Sequence, residues 1–383
     1  MKQYLNIAIV GTGFIGRQHI EAIRRIPYTR IVAAADSNEA MLKLVCGELG
    51  IERYYTDYRE MLDREDIQVV HNCTPSNMHF EISREIMKRG IHVYCEKPLT
   101  LTSAEADELV ELAGQMNVAA AANFNYRNNA MVRQMRQMIM DGQIGTPLVC
   151  HGEYLQDWLM YDTDYDWRMD PRLGGPSRAL SDIGSHCFDT IQFVLGKKIV
   201  AVNASLITVY PKRKRTEQSG TFSASGGKVL GEYQVDSEDA AFVMARFEDG
   251  TQGVFNISQV CAGKKNGLMV NVSGSRASLE WHQEQSDRLH IGNRDRGNEE
   301  LYVGAQYLAD EVKASATLPN GHPVGWADAF RNGIASFYDS IRDNSWNREN
   351  TLWHATFRDA CYIMKIVEAC LKSGREKQWV EVE

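Results

Sequence analysis

The sequence predicts a two-part α/β chain. Residues 1–124 should form a Rossmann-type parallel sheet wound by helices. Residues 125–383 should form an α+β part built on a largely antiparallel, open sheet. Three observations predict this. Short apolar runs alternate with amphipathic helical segments as far as Ala122; that alternation stops after Asn125; and from Pro147 strand signals dominate. A length of 383 residues agrees, since one domain usually takes about 100–200.

In the first part, Leu5–Val10 is a short apolar run ending at Gly11, the pattern of a buried parallel strand. Phe14–Ile26 has helical spacing and ends at Pro27. Ile31–Ala35 is the second strand and stops at Asp36. Met41–Leu49 is helical, with Gly50 as its natural cap. A short helix over Tyr58–Leu62, a strand over Gln68–Val70 and a helix over His79–Arg89 follow. Ile91–Tyr94 is a strand, Ser103–Met116 a helix and Val118–Ala122 a strand.

Composition excludes several function classes. With 44% hydrophobic and 24% charged residues the chain reads as a globular protein, and its net charge of −8 offers no global attraction to nucleic acid or an anionic membrane. The one basic cluster, Lys212–Arg215, reads as a solvated loop. Eight cysteines show no Cys-x-x-Cys pair and sit mostly in apolar runs, so they read as reduced core thiols. No apolar signal region precedes the first strand and no stretch approaches the ~18 residues of a membrane span, so a cytoplasmic location is expected.

Gly11-Thr12-Gly13-Phe14-Ile15-Gly16 is a full G-x-G-x-x-G between a strand and a helix, followed by an acid, Asp36, at the end of the next strand. This context makes the motif a dinucleotide-binding fingerprint. The first glycine permits the turn, the second lets backbone approach a pyrophosphate, the third permits close packing, and the helix N-terminus offers amides to phosphate. A carboxylate at Asp36 suits the ribose hydroxyls of NAD and repels a 2′-phosphate; Ser37 and Asn38 beside it bring no cation to offset that. NAD is therefore expected over NADP.

Two later segments fall after strands of the same sheet. They are Cys73-Thr74-Pro75-Ser76-Asn77-Met78-His79 and Cys95-Glu96-Lys97-Pro98. Proline disfavours helix at Lys97 and directs its ammonium outward, although a plain surface lysine would read the same way. A third segment, Asp182-Ile183-Gly184-Ser185-His186, places an acid four residues before a histidine, hence on one helical face. A core histidine bonded to Asp182 for stability alone is the competing reading.

With the glycine fingerprint, Glu96-Lys97-Pro98 and Asp182-x-x-x-His186 in this order, the chain resembles the Gfo/Idh/MocA oxidoreductases along essentially its whole length. The resemblance implies that Lys97, Asp182 and His186 form the catalytic set. In chemical terms His186 would act as the acid/base, its ordinary pKa of ~6.5 needing little tuning. Asp182 would orient the imidazole or hold a second substrate hydroxyl. Lys97 would stabilise the developing alkoxide. The resemblance also implies cofactor contacts from Thr74, Pro75, Asn77 and His79, from Glu96, Lys97 and Asn125, and from Trp167-Arg168. No metal is expected.

In the second part, a helix over Asn128–Met140 carries a methionine stripe at Met131, Met135 and Met138, read as core. Strands are expected over Leu148–Tyr154, Ile199–Val209, Ala240–Phe247 and Gly253–Ser258, and a hairpin over Leu268–Val272 and Ala277–Trp281. A helix over about Ser181–Leu195 carries His186. Thr216–Gly231 reads as a loop; Ala327–Asp343 and Thr351–Lys372 read as helices, the last ending at Gly374. In the family, terminal segments can return to the first domain, and the open sheet face is an oligomer interface, so a homodimer or homotetramer is expected.

For substrate, Tyr126, Gln156 and Trp158 join Lys97, Asp182 and His186 as candidate contacts, since aromatic faces beside hydroxyl-reading polar groups suit a pyranose. Gly174–Ala179, Gly321-His322-Pro323 and Gly325-Trp326 resemble the branch acting on anhydrosugars, sugars and glycosides, where a ring hydroxyl, often at C3, is oxidised. The expected function is an NAD-dependent sugar, glycoside or cyclitol dehydrogenase. The alternatives are an NAD-retaining glycoside hydrolase or lyase using transient oxidation, and a non-catalytic NAD-binding sensor.

Overall fold

A computed structural model describes residues 4–218, 226–348 and 352–383. The chain forms two compact units: Met1–Asn128 with Trp326–Cys361, and Asn129–Gly325 with Tyr362–Glu383.

The first unit is a doubly wound sheet. Its parallel strands are β1 (Leu5–Val10), β2 (Thr29–Ala35), β3 (Tyr54–Tyr55), β4 (Val69–Asn72), β5 (His92–Cys95) and β6 (Ala120–Ala122). They run in the order β6-β5-β4-β1-β2-β3, with Ala355–Thr356 added antiparallel beside β6. β1 and β4 are neighbours but not consecutive, so the connections diverge there, which is where such sheets bind ligands beyond their carboxyl ends. The strands are near-continuous apolar runs because helices cover both faces. Phe14–Arg24 buries Ile20, Ala22 and Ile23, and Trp326–Arg342 packs against it through Phe330, Ile334, Phe337 and Tyr338. Each such large apolar side chain contributes about 1.5–3 kcal/mol on burial. Gly333 permits the contact with Asn128 and Tyr94, because a Cβ there would lie 2.7 Å from the Asn128 amide nitrogen.

The second unit is built on a nine-stranded sheet among the described residues. Its order is Glu299–Tyr302, Arg288–Asn293, Ala277–His282, Gly267–Gly274, Pro147–Leu155, Gln252–Ser258, Ala240–Phe247, Ile199–Ile207 and Val380–Glu381. Every pairing is antiparallel except Pro147–Leu155 with Gln252–Ser258. The inward residues of the central strands, among them Cys150, Tyr154, Phe255 and Val270, are buried. Helix Ser185–Leu195 packs on this face. Ala130–Met140 packs beside that helix, with Met131, Met135 and Met138 buried. On the opposite face Phe242, Met244 and Val254 are about half exposed, at 46%, 47% and 53%.

Several expectations are corrected. Lys212–Arg215 is not a solvated loop: it lies in the strand Lys212–Gln218, which pairs with Gly226–Gln234. Arg213 is wholly buried, donating to Asp239 at 2.7 Å and to the carbonyls of Leu159 and Tyr161. Buried Arg178 holds the same Asp239 oxygen, so one carboxylate bridges two guanidinium groups. Of the expected loop Thr216–Gly231, the described residues are strand, and 219–225 lie outside the described residues. The final helix runs Phe357–Glu376, through Gly374, whose missing side chain admits Leu206 instead of capping the helix. Lys377, at φ +59°, takes the left-handed conformation just beyond. No helix among the described residues is long and apolar enough to cross a membrane.

Candidate functional site

In the first unit the three fingerprint glycines do three different things. Gly11 has φ +92°, and a Cβ there would lie 2.6 Å from the Cys73 carbonyl oxygen. A Cβ on Gly16 would meet the Gly11 carbonyl oxygen at 2.0 Å, so this residue closes the turn against the helix. Gly13 alone of the three has nothing within 4 Å of its Cβ position. It is the N-cap of Phe14–Arg24, a helix start with no side-chain cap and no acid in its first turn. A helix start without a side-chain cap, facing open space, is what a pyrophosphate requires. Phe14 is 68% exposed at this start and Ile15 half-buried.

Asp36 stands at the end of β2. Its Oδ2 accepts from the Thr12 backbone amide at 2.7 Å and hydroxyl at 3.0 Å, and its Oδ1 accepts from the Asn38 amide at 2.9 Å. A carboxylate has about four acceptor sites. One site on Oδ1 therefore remains for a ribose hydroxyl, fewer than the two hydroxyls expected from sequence unless Thr12 yields. Ser37 is exposed beside it.

After β4, Thr74 donates its hydroxyl to Asn72 at 2.7 Å, and exposed Pro75 caps helix Ser76–Lys88, again with no side-chain cap. The Asn77 Oδ1 and the Nδ2 of buried Asn125 have no hydrogen-bond partner among the described residues. Orphaned polar atoms of this kind ask for a ligand or water. His79 is buried, its ring between the carbonyls of Pro98 at 2.7 Å and Thr74 at 2.8 Å. Burial pushes its pKa down, so the neutral ring donates to one of these two carbonyls. Half-buried Lys97 follows buried Glu96, which accepts from the Lys97 amide at 3.1 Å; the Lys97–Pro98 peptide is cis. Tyr126 is buried in the 3-10 turn Asn125–Asn128.

In the second unit the helix expected over Ser181–Leu195 begins as a π-helix, Leu180–Gly184, and continues as α-helix from Ser185. Such insertions recur at functional positions. The turn is fixed by Glu238, whose Oε1 accepts from the Ser177 hydroxyl and from the Arg178 and Leu180 amides, at 2.7, 3.0 and 2.9 Å. Asp182 Oδ2 accepts from Gln259 Nε2 at 2.9 Å, and its Oδ1 lies 3.4 Å from Arg168 Nε. Arg168 also meets Asp166 and stacks over Trp167, its guanidinium carbon 4.5 Å from the ring centroid. His186 is 6% exposed, its ring 6.3 Å from that of Tyr154. Gln156 accepts from the Trp158 indole at 2.8 Å, and Asn266 accepts from Tyr154 Oη at 2.5 Å. Gln259, Tyr154 and Asn266 escaped the sequence reading. Each sits in or beside a strand with no motif around it, and only the sheet register brings it to Asp182, His186 or Gln156. Among the described residues no three His, Cys, Asp or Glu side chains are grouped to hold a metal.

Comparison with known proteins gives the same picture. Residues 5–124 match the oxidoreductase family model with an NAD-binding Rossmann fold, and residues 132–280 match the GFO/IDH/MocA C-terminal domain. The 1,5-anhydro-D-fructose reductase of Ensifer adhaerens is 31% identical, covering 98% of each chain. Levoglucosan dehydrogenase of Pseudarthrobacter phenanthrenivorans is 28% identical over 99% of this chain and 98% of its own. A levoglucosan dehydrogenase structure in complex with NADH and levoglucosan superposes with TM-score 0.86 at 26% identity, covering 99% of this chain and all of that one. The resident cofactor is NAD, the fingerprint loop and the orphaned amides fit it, and the chain belongs to the Gfo/Idh/MocA family of oxidoreductases.

Proposed function

We propose that this chain moves a hydride between NAD and a ring carbon bearing a hydroxyl, such as C3, in a sugar, glycoside or cyclitol. Bound NAD supplies the hydride acceptor or donor. The chain supplies the rest. Amides at the start of Phe14–Arg24 hold the pyrophosphate, and Asp36 accepts from the adenosine ribose and disfavours a 2′-phosphate. His186 takes the hydroxyl proton, Lys97 donates to the oxygen as charge develops, and Asp182 is oriented by Gln259 and Arg168. Gln156, Trp158 and Tyr126 contact the sugar.

The observation that carries this reading is the open Cβ position of Gly13 at an uncapped helix start. The relatives named above, with levoglucosan and 1,5-anhydro-D-fructose in their names, support a pyranose-like substrate. A panel of pyranoses, anhydrosugars, inositols and glycosides with NAD+ at alkaline pH, read by NADH absorbance, tests it. Net NADH formation with one class is expected. No turnover across the panel by NAD-loaded protein would overturn it.

The chain is further proposed to form a homodimer or homotetramer through the open sheet face, where Met244 pairs with Val254 beside Phe242. Phe242→Glu should lower the mass seen by light scattering; an unchanged mass would remove that face from consideration. A cytoplasmic location is proposed from the cysteines, all unpaired among the described residues.

A further inference from the structure

The first unit contains a line of enclosed polar groups that the chemistry above does not use. Tyr338 Oη lies 2.7 Å from His71 Nε2, His71 Nδ1 lies 2.7 Å from His19 Nδ1, and His19 Nε2 lies 2.9 Å from Glu96 Oε1. Tyr338, His71 and His19 are 0% exposed and Glu96 is 7% exposed. The line crosses three elements: helix Trp326–Arg342, strand β4 and helix Phe14–Arg24. It ends on the residue before Lys97.

Donor counting fixes the hydrogens. A neutral imidazole has one donor and one acceptor nitrogen. Glu96 already accepts from Asn123 Nδ2 at 2.6 Å on Oε1 and from the Lys97 amide on Oε2. An ionised Glu96 accepts only, so His19 donates from Nε2 and accepts at Nδ1. His71 then donates from Nδ1 and accepts the Tyr338 hydroxyl proton at Nε2. The opposite polarity requires either a protonated Glu96, which the two other donors and the neighbouring ammonium oppose, or a doubly protonated His19, which the ring-nitrogen spectrum distinguishes.

We propose that Tyr338, His71 and His19 are positioning residues that hold Glu96 ionised in one orientation and so fix the turn that carries Lys97. The inference rests on the proposed role of Lys97 for its catalytic meaning, but not for its geometry. Burial alone would raise the Glu96 carboxyl, yet the hydrogen bonds from His19 and Asn123 and the charge of Lys97 bring it below its ordinary value. Burial pushes His71 down, which keeps it neutral. The other titratable groups facing Glu96 are Cys73 after β4, Cys95 at the end of β5 and His79. Burial raises both thiols and lowers His79, so all three stay uncharged.

Two measurements on the full chain test this. Nitrogen-15 NMR of the histidine rings at neutral pH should show His19 as the Nε2–H tautomer and His71 as the Nδ1–H tautomer, with His71 not titrating between about pH 5.5 and 8.5, where an ordinary imidazole does. The opposite tautomers, a doubly protonated His19, or ordinary titration of His71 would overturn the proposal whatever the activity. In turnover, His19→Phe should raise the acid limb of the kcat profile by about one pH unit, a tenfold loss at fixed acidic pH. The sugar KM should stay within about twofold. His19→Gln, which keeps a donor at that reach, should restore the limb. Equal shifts in both variants would reduce His19 to packing. Failure of every sugar to react would sink the proposed function while leaving the tautomer result standing.

Discussion

Replacing Gly13 and Gly16 separately by alanine pulls apart folding and cofactor binding, because the two added methyl groups meet opposite surroundings. The Gly13 Cβ would have nothing within 4 Å, and its φ of −63° and ψ of −165° suit any residue. Stability should therefore change by no more than about 1 kcal/mol, the cost of a poorer N-cap residue. The same methyl occupies the space a pyrophosphate needs. Losing one or two charge-assisted hydrogen bonds costs about 1.5–3 kcal/mol, which weakens NADH about 10- to 100-fold. Gly16 is the reverse case. Its Cβ would lie 2.0 Å from the Gly11 carbonyl oxygen, and Gly11 is itself pressed against the Cys73 carbonyl. Neither backbone group can swing aside, so the cost sits near the upper end of the ~1–3 kcal/mol range for overpacking. At about 2–4 °C per kcal/mol, Tm should fall by about 6–12 °C. Thermal unfolding and a fluorescence titration with NADH measure both quantities on both variants. A Gly13→Ala protein that binds NADH as the parent does would refute the cradle assignment.

Three further outcomes are expected. Asp36→Ala should weaken NADH by roughly tenfold through the lost ribose hydrogen bond and narrow the preference over NADPH, both read by titration; an unchanged ratio would argue against its role. Asp239→Asn leaves Arg178 and Arg213 with no ionised bridge at a buried site, so stability should drop by about 3–5 kcal/mol in a denaturant titration; a drop under about 1 kcal/mol would contradict the account. Stability should also fall on acidification in two stages. Below pH 6.5 the unfolded chain takes a proton that neutral His71 refuses, and below pH 4.5 it takes one that Glu96 refuses until its lowered folded value is passed. A Tm that is flat from neutral pH down to the carboxyl range would be inconsistent with that assignment.

The first unit was legible because its signals are local. Apolar runs of strand length, glycines at their ends and a helix over Ser103–Met116 can all be read from neighbouring residues, and the structure has that helix at those limits. The two-residue strand Tyr54–Tyr55 carries too few residues to show a pattern. The failures in the second unit have a common cause. Lys212–Arg215 looks solvated by charge alone, and only Asp239, just before the later strand Ala240–Phe247, makes burial of Arg213 tolerable. Gly374 looks like a helix stop until Leu206, on a distant strand, occupies the space. The Asp182-x-x-x-His186 spacing predicted helix there, and the segment is helical, but the π-turn at Asp182 is held by Glu238, which no local pattern connects to it. The same applies to the buried chain from Tyr338 to Glu96, whose members are separated by up to 267 positions between bonded partners.

Lys97 carries the central claim, and single-turnover hydride transfer with Lys97→Met tests it most directly. The variant should bind NADH within about threefold of the parent, since the proposed pyrophosphate and ribose contacts are other residues, while hydride transfer from a sugar that the parent oxidises slows by about 10²–10⁴-fold. A variant that transfers hydride at the parental rate with NAD bound would show that the ammonium does not act on the reacting oxygen.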